Sequence, residues 1–354
     1  MKQHQIQFFV NISLSCASVL FAFVFLELAS RTYGNMWQFI NFSGVFLQQP
    51  DIPFDSVSPA VYDATSGWIP RTGSLSLWGK TVTILENGVR SNGLSSTNIP
   101  DAPRILAVGD SYTFGDMVED HETWPAVLEQ RSGIRVINGG VFGFGVDQAF
   151  LRAKILLDVY QPNTLIFSLI PDDIYRAELS VRVGTNKPYF EIDNGKLVLR
   201  NSPVPQQTTT HRQRDWFRKI SGYSFLIHSV MIRLSPNYWI EPGSSVRVHH
   251  RGSEVANLLM KELKRLTDER RIRLIVLIQY DILTISAYLK KADRLREFLE
   301  EQGIEVIDLQ AALREISTTD PSRYERFFNK VGYHMSAEGN AFVAEQFEKA
   351  FKSR

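Results

Sequence analysis

Four short blocks carry the residue types that acyl transfer requires. Gly109-Asp110-Ser111 ends the apolar run Ile105 to Val108, and Asn138-Gly139-Gly140-Val141-Phe142-Gly143 follows the run Ile134 to Ile137. Pro171-Asp172-Asp173 follows Thr164 to Ile170, and His334 stands in Tyr333-His-Met-Ser-Ala-Glu-Gly339 ahead of the last amphipathic stretch. A serine hydroxyl attacks an ester carbonyl when an imidazole takes its proton and N–H donors meet the developing oxyanion. Ser111 offers the hydroxyl, His334 the imidazole, and the glycine-containing loops the donors. Taken singly, Asp110 and Ser111 read equally well as helix caps, Asp172 and Asp173 as loop and cap residues, and His334 as a helix-entry histidine. Their shared position at strand ends is what favours chemistry.

The elements that must position these blocks alternate strand and helix. Continuous apolar runs are expected of parallel strands covered on both faces, and in such sheets ligands bind beyond the strands' carboxyl ends. Arg273 to Ile278 and Ile304 to Ile307 add a fourth and fifth strand, the latter ending at Asp308. Helices are expected from Pro125 to about Arg131, after Asp147, after Ser253, over about Tyr288 to Gln302, and from near Ser336, each with one apolar face. A three-layer α/β sandwich around a five-stranded parallel sheet is therefore predicted, with all four blocks on one edge.

The rest of the chain sets boundaries. With 354 residues, 39 Lys+Arg against 38 Asp+Glu, and 44% hydrophobic residues, it has globular composition and no nucleic-acid footprint. The single cysteine, Cys16, excludes a disulfide framework and a cysteine-based zinc site within one chain. Residues 6–28 are apolar enough to cross a membrane; an uncleaved signal anchor is preferred over a cleaved leader because the run is long and Leu28-Ala29-Ser30 is a poor cleavage site. Residues 1–31 are thus read as a cytoplasmic stub and anchor, 32–103 as a linker and small β-rich preface, and 104–354 as the main domain, extracytoplasmic at a bacterial inner membrane. An insertion at about 175–250 holds an Asn194-Gly195 hairpin and a helical stretch from about Asp215 to Leu234, read as a lid on the sheet domain in preference to a membrane-surface helix.

The blocks together resemble the SGNH/GDSL hydrolase superfamily over roughly residues 101 to 354. Asn87-Gly88-Val89-Arg90 and the N-terminal anchor are similar to its membrane-anchored bacterial branch. The resemblance implies the flavodoxin-like SGNH fold, Ser111 as nucleophile and first oxyanion donor, Gly143 as second donor, His334 as base, and Asp110 and Asn138 as supporting residues. It implies no cofactor and no metal. Two positions depart from the family. Asp172 stands where the third block has the asparagine donor, and an ionised carboxylate there would repel the oxyanion; Val331 stands where the triad acid belongs. Asp308, Asp320 or a backbone carbonyl are the replacements considered for that acid. Three functions follow as expectations: an esterase or O-acyltransferase acting on an O-acylated envelope carbohydrate or lipid; a degenerate relative that binds a glycan or serves in assembly; and, less favoured, phosphoryl chemistry at a metal held by Asp110, Asp172 and Asp173.

Overall fold

The computed structural model of the chain describes residues 2–34, 36–37, 59–93, 104–182, 184–206, 216–234, 245–281, 286–329 and 334–352. Two compact units emerge: Met1–Asp51 with Thr210–Ser244, and Ile52–Thr209 with Ser245–Arg354.

The larger unit is built on a five-stranded parallel sheet. Its strands are β1 (Arg104–Val108), β2 (Arg135–Asn138), β3 (Thr164–Leu169), β4 (Arg273–Ile278) and β5 (Glu305–Asp308). They lie in the order β2-β1-β3-β4-β5 and every pair is parallel. That is the flavodoxin-like order of doubly wound sheets, with the crevice between β1 and β3 where the winding reverses. Leu106, Ala107, Leu165, Ile166, Phe167, Val276 and Leu277 are wholly buried, as two-sided covering demands. Helix Trp124–Ser132 packs with Ala337–Lys352, and Gly252–Glu269 packs with Val146–Tyr160 and Ser286–Glu301, which gives the two outer layers. In Gly252–Glu269 the apolar positions Val255, Leu259 and Leu263 recur every four residues and are all fully buried. This helix begins one residue before the expected cap Ser253, because the Glu178 carboxylate accepts the Gly252 N–H at 3.0 Å. The α/β sandwich expected from the blocks is the architecture found.

The preface is two antiparallel hairpins, Ala60–Asp63 with Gly67–Pro70 and Gly73–Leu77 with Lys80–Ile84. Trp68, 1% exposed, donates its indole N–H to the Phe142 carbonyl at 3.0 Å, so the preface props the loop after β2. The Asn194-Gly195 hairpin forms as expected: both residues have positive φ, 48° and 76°, between strands Tyr189–Asp193 and Lys196–Arg200.

In the smaller unit one helix, Lys2–Tyr33, contains a stretch long and apolar enough to cross a membrane, with none of that stretch buried. The single helical stretch expected over 215–234 is two helices, Trp216–Ser221 and Phe225–Leu234. Within this unit the first turn of Phe225–Leu234 is capped by Glu27 of the N-terminal helix, and the Tyr223 carbonyl just before it accepts from Arg31. Periodicity reports that a face is apolar and not what covers it.

Candidate active site

Strand β1 ends at a turn that only glycine permits. A Cβ on Gly109 would come within 2.5 Å of both the Ser168 carbonyl and Thr113 Oγ1. Past it, Asp110 caps the single helical turn Ser111–Phe114, its carboxylate accepting the Tyr112 N–H at 2.9 Å, and the turn closes on Gly115 in the left-handed region at φ 89°. Ser111, as first residue of that turn, has no intrahelical partner for its N–H. Both readings of Asp110 therefore hold: it is a cap, and it presents the serine.

The chain brings His334 to this tip. Its Nε2 lies 2.9 Å from Ser111 Oγ, within hydrogen-bond reach of the proton that a base must take. The ring also tilts against Tyr112, centroids 5.2 Å apart. Asn138 is fully buried after β2, where its Oδ1 accepts the Gly140 N–H at 3.1 Å and its carbonyl accepts the Arg90 N–H at 2.8 Å. Gly143 sits at φ 78° with its carbonyl bonded by Arg182. Neither the Ser111 nor the Gly143 N–H has a partner among the described residues, the condition an oxyanion donor must meet.

The departure at Asp172 is answered by a residue the blocks do not contain. Arg176, one helical turn on, donates from Nε to Asp172 Oδ2 at 2.8 Å and from Nη1 to Asp173 Oδ1 at 2.6 Å. The same Nη1 lies 3.4 Å from Asp110 Oδ2 and donates to the Phe144 carbonyl at 2.9 Å. Burial works against the guanidinium charge, but the three carboxylates outweigh it and raise the arginine's pKa. Burial, with Asp110 alongside, pushes the Asp173 carboxyl well up against the pull of Arg176; Asp110 is likewise raised by burial. The three acids that sequence reading considered for a metal thus converge on a guanidinium. Among the described residues no cluster of His, Cys, Asp or Glu is arranged to hold a metal ion. The i, i+3 and i, i+4 spacing of Asp173 and Asp172 to Arg176 was the available signal.

The triad-acid position is a separate matter. Val331 lies outside the described residues. Asp308 accepts the Gln310 N–H at 2.8 Å and lies 3.5 Å from Arg296, while Asp320 caps helix Pro321–Arg326 through the Arg323 N–H at 3.0 Å, so both carboxylates are engaged locally. A carboxylate near the imidazole is Asp116, whose Oδ2 lies 3.6 Å from His334 Nε2, the nitrogen that faces Ser111, and so not at Nδ1 where a triad acid bonds. Burial raises its pKa to about 7, against the opposing charges of Arg90 and Arg176. Its loop is held by Arg90, which is 2% exposed and donates to the carbonyls of Phe114, Gly115 and Val118 and to the Asp120 carboxylate. Arg90 closes the Asn-Gly-Val-Arg segment, whose structural role is thereby explained; Asp116 had no sequence signal beyond its place after Gly115.

No family model matches the sequence, and no curated protein matches it. Solved structures with a similar chain path include a lipolytic protein of the G-D-S-L family from Desulfitobacterium hafniense, 16% identical, with a TM-score of 0.43 and coverage of 70% of this chain and 98% of that one. An acetylxylan esterase from Geobacillus stearothermophilus is 15% identical, TM-score 0.41, covering 72% and 95%. A GDSL-like lipase from Bacteroides thetaiotaomicron is 10% identical, TM-score 0.39, covering 71% and 88%.

Proposed function

We propose that this chain is a membrane-anchored serine esterase of the SGNH/GDSL type. The observation that carries the reading is the 2.9 Å approach of Ser111 Oγ to His334 Nε2 at the β1 switch point of a doubly wound sheet. Ser111 attacks the acyl carbonyl while His334 takes its proton; the N–H groups of Ser111 and Gly143 receive the oxyanion; His334 returns the proton to the leaving alcohol. Asp116, when ionised, stabilises the imidazolium by its charge, 3.6 Å from His334 Nε2. Arg176 holds the Asp172 carboxylate, so that its charge is offset where the oxyanion develops. Water completes the cycle as hydrolysis, and a sugar hydroxyl in its place completes it as O-acyl transfer. The apolar N-terminal helix supports an anchor that keeps this domain at a bacterial inner membrane on the extracytoplasmic side, where the acceptor is an O-acylated envelope carbohydrate or lipid.

The test is hydrolysis of short-chain p-nitrophenyl esters by the full chain in detergent, with fluorophosphonate labelling in parallel. Wild type is expected to turn over and to label. Ser111→Ala should lose at least about a thousandfold in rate and all labelling. Labelling without turnover selects acyl transfer to an acceptor the assay lacks. Absence of both in wild type removes the enzyme reading in favour of glycan binding by a degenerate site.

A further inference from the structure

The helices at 216–234 interrupt the sheet domain in sequence, yet helix Phe225–Leu234 is capped from the N-terminal helix. Glu27 accepts the N–H groups of Phe225 and Leu226 at 2.8 and 2.9 Å and the Ser224 hydroxyl at 2.7 Å, so three donors at the start of one helix end on a carboxylate of another. Arg31, one turn beyond Glu27 and paired with it, donates to the Tyr223 carbonyl at 2.7 Å. The Phe225 ring packs onto the backbone at Gly34: a Cβ there would come within 2.7 Å of it. Glu27 and Arg31 lie in the last two turns of the stretch that can cross a membrane, Val10–Tyr33, and Gly34 follows it directly. Helix Phe225–Leu234 therefore starts beside the C-terminal end of that stretch.

What this pair of helices exposes is apolar and aromatic. Trp216 is 72% exposed, Ile220 68%, Tyr223 55% and Leu234 77%. Trp and Tyr are concentrated at membrane interfaces, where exposed apolar side chains meet lipid. Between positions 211 and 234 stand five basic residues, Arg212, Arg214, Arg218, Lys219 and Arg233, against the single acid Asp215. That balance suits a surface of lipid headgroups.

We infer that residues 216–234 are a membrane-interface element, seated in the bilayer surface beside the exit of the spanning helix and fastened to it by Glu27. The partner of their exposed face is lipid. This inference rests on the N-terminal helix spanning the membrane. It gives the protein a second attachment, contributed from the middle of the chain, and it makes the N-terminal helix a structural part of the mature protein, because removing that helix would strip the cap from Phe225–Leu234.

The experiment uses the full chain in lipid nanodiscs, with Trp216 as reporter. The Trp216 component is the fluorescence difference between wild type and Trp216→Phe. It is measured in phosphatidylcholine brominated either near the headgroup or near the methyl end. Quenching of about half or more by the shallow bromines, exceeding that by the deep ones, is expected of a residue at the interface. Equal fluorescence loss in wild type and Trp216→Phe, showing no Trp216 component, overturns the inference. Glu27→Ala should erase the contrast between shallow and deep lipids; an unchanged contrast overturns the fastening. Ester hydrolysis retained by both variants shows that the sheet domain is folded. The spanning helix is read separately through Cys16, the sole cysteine: maleimide should label it in detergent and not in nanodiscs. Full labelling in nanodiscs would instead remove the anchor on which the inference stands.

Discussion

The two sides of the switch-point crevice are built on different physics. On the β1 and β2 side, backbone geometry sets the site: Gly109 admits no Cβ, Asp110 caps the turn that presents Ser111, and the Asn138 side chain holds the Gly140 N–H. On the β3 and His334 side, charge sets it: Arg176 gathers Asp110, Asp172 and Asp173, and Asp116 faces the imidazole. Asp172, which departs from the pattern the sequence resembles, lies on the charged side. Steric requirements tie a residue type to a position, whereas charge can be supplied from any element that reaches the site. In the proposed reaction, a guanidinium one turn away offsets the carboxylate that stands in place of the amide.

The strongest way to break this comparison is to remove the guanidinium. Arg176→Met leaves three buried or half-buried carboxylates without their cation, and breaking one side of a buried pair destabilises by roughly 3–5 kcal/mol. A fall in Tm of about 10 °C is expected at neutral pH for the full chain in detergent. The loss should shrink at pH 5, because carboxyls already raised by burial take up protons more readily once the opposing cation is gone. Adding Asp173→Asn should recover part of it. A Tm within 2 °C of wild type would mean that Arg176 is ordinary surface charge, and the contrast between the two sides would collapse.

Asp116 sharpens the comparison with a smaller effect. Its folded pKa of about 7 stands above the unfolded value of 3.8, so the native state retains a proton that the unfolded chain has released between those pH values. Stability contributed by this group is full below about pH 4 and is lost as pH rises through 7. Asp116→Asn should flatten that dependence: relative to wild type the variant gains on the order of 2–4 kcal/mol on moving from pH 4 to pH 8, discounted for its partial solvent access. In catalysis the sign reverses. The ionised carboxylate supports the imidazolium, so the variant should lose about tenfold or more in kcat/KM above pH 7 while losing little at pH 5. Superimposable pH–rate profiles would separate Asp116 from the proton transfer.

This contrast also explains what could be read from the chain alone. The strands and the places of Ser111, Asn138 and Asp172 at their ends follow from apolar runs that stop at glycine, asparagine or proline, which are local properties; Gly143 and His334 were read through the family resemblance. Arg176 was legible in principle, three and four residues from its acids on a short helix. Asp116 was not, because its approach to His334 depends on the left-handed turn at Gly115, on Arg90 holding the loop from the preface, and on the last block folding back onto the first. Asp308 and Asp320 were eligible by type and are committed to neighbours that only the folded chain reveals. The helices at 216–234 show a related limit of periodicity: an apolar face looks alike whether it meets a sheet, another helix or lipid.

The smallest expected effect tests the Asp172 position itself. If the carboxylate acted there as a bare charge, Asp172→Asn would restore the amide donor and raise kcat/KM by about a hundredfold, the scale of one oxyanion contact. Asp172 Oδ2 is instead held at 2.8 Å by Arg176 Nε, and its side chain is only 29% exposed. With its charge already offset, Asp172→Asn should change kcat/KM by less than about tenfold and Tm by about 2–4 °C or less, since the arginine keeps Asp173 and Asp110. A hundredfold gain would show that the pairing does not screen the oxyanion, and that the charged side of the crevice limits the reaction.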